Sequence, residues 1–195
     1  MSVVVHEVSH GFAAYLLGDK TAQYQGRLTL NPLYHLDMFG SIILPLLLVL
    51  TNAGFIIGWA KPVPYNPYNL RNQRWGEAIV SFAGPLSNFI IAFVFGLVIR
   101  FGNGVLPISF LELSLVLVIM NIVLGCFNLV PIPPLDGSKI LFSVLPHRFG
   151  YIRNTLEQYG LVFVLLFVFL FWGYITPVIG LIGDFFTGLS LTGLL

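Results

Sequence analysis

Charge is what this chain has least of. Only 9% of its 195 residues are Asp, Glu, Lys or Arg, where a soluble domain carries about 25%. With 57% hydrophobic residues and a mean hydropathy of +0.91, that shortage excludes a water-soluble globule and predicts an integral membrane protein. Basic residues have no real surplus either: nine against eight acidic ones leave a formal charge of +1, so there is no polybasic surface for nucleic acid and no acidic tail. Cysteine is nearly absent. Cys126 stands alone in an apolar stretch, so no intrachain disulfide forms and the thiol reads as a small core residue. The pattern of a cleavable leader is missing too, because Met1-Ser2-Val3-Val4-Val5 runs straight into charged residues; targeting is expected to reside in the spans themselves.

What the chain does have is long apolar runs. Residues 76–101, 108–129 and 159–182 each match the length of a membrane span, with Gly102-Asn103-Gly104 as the turn between the first two. A shorter apolar helix runs from about Ser2 to Leu17. It falls below the roughly 20 residues of a span, which predicts that the first helix is truncated at the N-terminus. Gly18-Asp19-Lys20 ends that helix, and the alternation in Gln23-Tyr24-Gln25-Gly26-Arg27-Leu28-Thr29-Leu30 predicts a small membrane-associated β-hairpin before Asn31-Pro32. Lys61-Pro62-Val63-Pro64-Tyr65-Asn66-Pro67 reads as a proline-rigid loop, and residues 139–158 as interfacial. With no internal repeat and no linker, residues 1–195 form one domain.

Residues 39–59 are apolar but interrupted by Pro45 and Gly54. If they cross the bilayer, Lys20, Arg27 and Arg100 oppose Lys61, Arg71, Arg74, Lys139, Arg148 and Arg153. If they re-enter, eight basic residues share one side and only Arg100 lies opposite. The positive-inside rule favours re-entry, with the eight-charge side cytoplasmic. The expected fold is therefore an all-α polytopic bundle of about four to five transmembrane helices, with a small β-hairpin and a re-entrant segment, in the cell membrane.

Inside this apolar background stands His6-Glu7-Val8-Ser9-His10. Residues four apart share a helix face, so His6 and His10 can hold one metal ion with Glu7 beside its open position. Two histidines satisfied by neighbouring helices are the bland alternative, but two imidazoles and a carboxylate in one helical turn are costly in lipid without a metal. A catalytic zinc takes three protein ligands and keeps a fourth position for water. Asp136 is the best candidate for the third. Pro131, Pro133 and Pro134 unwind the chain before it, and irregular backbone at membrane depth is tolerated where it lines a protein cavity; an N-cap role for Asp136 is the competing account. Asn128, at the end of the preceding span, is either an oxyanion donor or a helix cap or interhelical bond. His35 could support the site or face its substrate, but an interfacial loop position is the favoured reading; His147 is read as interfacial, and Glu112 and Glu157 have no partner legible in the sequence.

Taken together, these motifs resemble the site-2 proteases, intramembrane zinc metalloproteases. The resemblance rests on His6-Glu7-Val8-Ser9-His10-Gly11 and Pro134-Leu135-Asp136-Gly137. Gly26-Arg27-Leu28-Thr29-Leu30-Asn31-Pro32, Gly58-Trp59-Ala60-Lys61-Pro62-Val63-Pro64 and Ala83-Gly84-Pro85-Leu86-Ser87-Asn88 resemble the compact bacterial and archaeal branch. It implies that His6, His10 and Asp136 hold one zinc, that Glu7 is the catalytic acid/base, that Asn128 assists, and that the substrates are single-span membrane proteins cut within the bilayer, often to release a regulator. A helical substrate must unwind before attack, and the Leu28-Thr29-Leu30 strand offers it an edge. Two other classes are open: a non-catalytic family member that binds membrane partners, and a metal-ion transporter. The latter lacks a second set of membrane carboxylates or histidines for a relay. The oligomeric state is not legible.

Overall fold

The computed structural model of the chain describes residues 1–52, 54, 58–72, 75–145 and 150–192. Among these, all regular structure is helical: α1 (Ser2–Leu16), α2 (Thr21–Tyr24), α3 (Leu44–Leu50), α4 (Gly76–Gly102), α5 (Ile108–Asn128), α6 (Asp136–Val144), α7 (Gly150–Gln158) and α8 (Gly160–Thr187). A π-helical stretch at Met38–Ile43 leads into α3, and short 3-10 turns occupy Pro32–His35 and Pro67–Asn69.

Three of these helices are long and apolar enough to cross a bilayer: α4, α5 and α8, with 27, 21 and 28 residues. At about 1.5 Å per residue each exceeds the roughly 30 Å hydrocarbon core. The expectation of about four to five spans is thus corrected to three among the described residues. α1 has 15 residues, and the apolar helix Met38–Leu50 is shorter than a span as well.

The expected β-hairpin does not form. Residues 21–24 are taken by α2, and Gly26 turns the chain at φ 64°. Beyond it residues 27–31 form no regular structure, and no strand is present among the described residues. Side chains hold this segment where ladder bonds were expected. The Arg27 guanidinium donates to Lys61 O at 3.0 Å and Pro62 O at 3.3 Å, His35 Nε2 donates to Thr29 O at 2.8 Å, and Asn31 Oδ1 accepts from Leu33 N at 3.1 Å. Period-2 alternation marks an extended segment with two unlike faces; it says nothing of whether a second strand is at hand. With the hairpin goes the Leu28-Thr29-Leu30 strand edge.

The segment through α3 leaves and returns to one place. Trp59 N–H donates to Gly40 O at 3.2 Å, and Ser41 Oγ donates to Trp59 O at 2.7 Å. Asp37 caps the π-helical start by accepting from Gly40 N at 2.7 Å.

Beside an apolar core, the fold buries amides and exposes large apolar side chains. Asn88 and Asn121 are 0% exposed, while Phe169 is 84% and Leu161 70% exposed. Water would reverse that distribution; lipid favours it, because hydrocarbon solvates phenyl and isobutyl groups and cannot solvate an amide. α4 is the hub, packing on α1, α5, α6 and α8. Ala92, Ile99, Val118, Ile122 and Ile179 form the core where α4, α5 and α8 meet, and Ala14, Leu70 and Val80 form a second cluster at the other end of α4. Gly18, at φ 110°, ends α1 in a backbone conformation that side chains disfavour. Behind it the buried Asp19 gathers the loops. Burial alone would raise its pKa, but donors from Thr21, Asn69 and Asn66 more than offset that and hold the carboxyl below its ordinary range.

Candidate metal centre

α1 presents His6 and His10 on one face, and α6 brings Asp136 against both. His6 Nε2 lies 3.1 Å from Asp136 Oδ2, His10 Nε2 lies 3.1 Å from the same oxygen, and the two Nε2 atoms are 3.1 Å apart. All three residues are buried. Asp136 is the first residue of α6, and Leu135 takes the N-cap without a side-chain bond, so the carboxylate serves the histidines and not its own helix end. Its position is set by close packing behind it: a Cβ on Gly137 would lie 2.6 Å from Val130 O and closer still to Leu129 O. The proline segment and α6 can meet this tightly only with glycine at 137.

α4 builds the back wall with three residues on one stripe. Val80, Gly84 and Asn88 recur every four positions and so share a face. Val80 O accepts from His10 Nδ1 at 2.7 Å, and Asn88 Oδ1 accepts from His6 Nδ1 at 2.6 Å. Between them Gly84 leaves room for both imidazoles; a Cβ there would sit 2.7 Å from His6 Cε1 and nearer to His10 Nε2. Gly84→Ala is therefore expected to weaken zinc binding about tenfold or more while the helices persist. Competition against a zinc-chelating dye, alongside the circular dichroism of the variant, checks this.

The donor set fits a tetrahedral metal. Bonds of about 2.0 Å to a tetrahedral ion place its donors about 3.3 Å apart, close to the three separations of 3.1 Å. Both Nδ1 protons are committed to oxygen acceptors, which leaves both Nε2 lone pairs facing inward. Among the described residues this is the group of histidines and carboxylates that converges so closely.

A cavity of about 140 Å³ opens beside these donors, lined by Glu7, Asn128, Tyr65 and Lys139 among others. That volume has room for a few water molecules. Glu7 Oε2 accepts from Val63 N at 2.9 Å, which fixes the carboxylate at the cavity wall. Asn128 Nδ2 donates to Leu124 O at 3.0 Å in its own helix, not to a neighbouring helix. Lys139 Nζ stands 5.3 Å from the centre of the Tyr65 ring.

A family model described as peptidase family M50 matches residues 1–112 and 103–171. The chain belongs to peptidase family M50. This M50 chain is 42% identical over 176 residues to the Bacillus subtilis protein named "Putative zinc metalloprotease YwhC", covering 86% of the chain and 77% of that protein. It is 28% identical over 155 residues to "Zinc metalloprotease MJ0392" of Methanocaldococcus jannaschii, covering 80% of the chain and 35% of the relative. Against "Putative zinc metalloprotease Rip2" of Mycolicibacterium smegmatis the identity is 29% over 175 residues, covering 85% and 62%. The chain thus spans less than two thirds of the latter two. No solved structure matches the chain significantly.

Of the residues singled out in the sequence, the structure brings His6, Glu7, His10, Asn128 and Asp136 to one cavity. His35 lies elsewhere: it is 2% exposed, and its Nε2 donates to Thr29 O. Glu157 accepts from Arg153 Nε at 2.8 Å, Glu112 is exposed, and His147 lies outside the described residues. Sequence reading missed Val80, Gly84, Asn88, Tyr65 and Lys139. For Asn88 a signal existed: an asparagine mid-span, four residues after a glycine, needs a buried partner.

Proposed function

We propose that this M50 chain is a zinc metalloprotease that hydrolyses peptide bonds of single-span membrane proteins within the bilayer, as a multi-pass protein of the cell membrane. The observation that carries this reading is the convergence of His6 Nε2, His10 Nε2 and Asp136 Oδ2 at 3.1 Å in the cavity that also holds Glu7. His6, His10 and Asp136 hold one zinc ion. Bound there, zinc would supply Lewis-acid chemistry, polarising a carbonyl and acidifying a water.

The chain's own residues do the rest. Glu7, held through Oε2 by Val63 N–H, keeps Oε1 free of hydrogen bonds among the described residues, so its carboxylate takes the proton of the attacking water and passes it to the leaving amine. Asn128, at the cavity wall, turns its amide from Leu124 O toward the developing oxyanion. Pro62, Val63 and Tyr65 line one side of the cavity.

A purified, zinc-loaded protein in detergent should cut a single-span substrate, lose that activity on treatment with phenanthroline, and regain it when zinc is restored. Cleavage that survives complete zinc removal contradicts the proposal.

A further inference from the structure

The two histidines obtain their ligating form by different routes. A neutral imidazole carries one N–H and one lone pair, and it can bind metal through Nε2 only when the proton sits on Nδ1. For His10 a backbone carbonyl decides: Val80 O, 2.7 Å from Nδ1, can only accept. His6 faces a side-chain amide, and an amide is ambivalent. Turned by 180°, Asn88 would present its NH2 to Nδ1, select the Nε2–H tautomer and remove the lone pair from the metal site.

What sets Asn88 lies one helix further out. Asn88 Nδ2 donates to Asn121 Oδ1 at 2.9 Å. Asn121 is ambivalent in its turn, but its Nδ2 donates to Leu117 O at 2.8 Å and to Ser2 Oγ at 2.9 Å. A main-chain carbonyl cannot donate, so Leu117 O fixes the direction of the whole series. The Asn121 amide points its nitrogen at Leu117, its oxygen then orients Asn88, and the Asn88 oxygen takes the Nδ1 proton of His6. Both asparagines are 0% exposed, so no water competes for these positions.

We infer that Asn121, which touches neither metal donors nor cavity, is a positioning residue that sets the ligating tautomer of His6 through Asn88. This rests on the reading of His6 as a zinc ligand. Ser2 is dispensable to it, because Leu117 O alone suffices to orient Asn121.

The test measures zinc affinity by chelator competition in detergent. Asn121→Leu, which removes the acceptor for Asn88, should weaken binding about 10- to 100-fold. Asn121→Asp should restore affinity to within a few-fold of the unaltered chain, since a carboxyl group accepts from Asn88 Nδ2 whether or not it is protonated. Ser2→Ala should change it less than about twofold. Equal zinc affinity in Asn121→Leu and the unaltered chain overturns the inference, as does equal loss in Asn121→Leu and Asn121→Asp. If the unaltered chain itself binds no zinc, the proposed function fails first, and the two failures are distinguished. Should the leucine variant not fold, Asn121→Ala, which removes the same acceptor with a smaller side chain, takes its place: a loss of zinc affinity of about tenfold or more supports the relay, and affinity equal to that of the unaltered chain overturns it.

Discussion

Glu7→Gln is expected to lower the rate of peptide-bond cleavage by about 10²- to 10⁴-fold, the range that a lost general base commands, while zinc remains bound at one ion per chain. The substitution keeps shape and keeps an acceptor for Val63 N–H, whose bond to Glu7 Oε2 measures 2.9 Å. What it removes is basicity: a neutral amide cannot take a proton from water near pH 7. Glu7 is not among the three converging donors, so metal content should not move. Cleavage of a membrane-anchored substrate, with metal analysis on the same samples, separates the two effects. Undiminished cleavage would remove Glu7 from the chemistry, and a joint loss of zinc and activity would make it a ligand.

Asp136→Ala should do the opposite and lose most of the bound zinc. The carboxylate is the sole oxygen donor in the group, and its Oδ2 bridges to both Nε2 atoms. Without it two imidazoles remain, which is one protein ligand short of a catalytic site. Inductively coupled plasma analysis after dialysis reads the result: zinc well below one per chain is expected, and stoichiometric retention would exclude Asp136 from the ligands.

These two residues also illustrate what the sequence made legible. The His6–His10 spacing carries its own geometry, because helical periodicity puts both rings on one face wherever the helix sits. Asp136 was legible for a different reason, since three prolines and a carboxylate in an apolar chain have few roles. Long spans declare themselves by composition, and α4, α5 and α8 fall where the apolar runs lie. The contacts that hold the site together were not legible in this way. Nothing in residues 76–102 alone says that Val80 O, Gly84 and Asn88 line up behind α1, because that depends on which helix packs there. The hairpin over 23–30 failed for a related reason: alternation reports two faces, and a strand needs a neighbour. Lys139 was read as interfacial from its charge, yet it sits one turn beyond Asp136 on α6 and is carried into the cavity with it.

The central claim is that one metal ion is shared by two elements 130 residues apart. Anomalous diffraction at the zinc edge, from crystals of the zinc-loaded protein, tests it most directly. One strong peak is predicted, about 2.0–2.2 Å from His6 Nε2, His10 Nε2 and an Asp136 carboxylate oxygen, with Glu7 beside it and not bonded to it. A peak that lies elsewhere, or one bonded to the histidines with Asp136 turned away, would contradict the account.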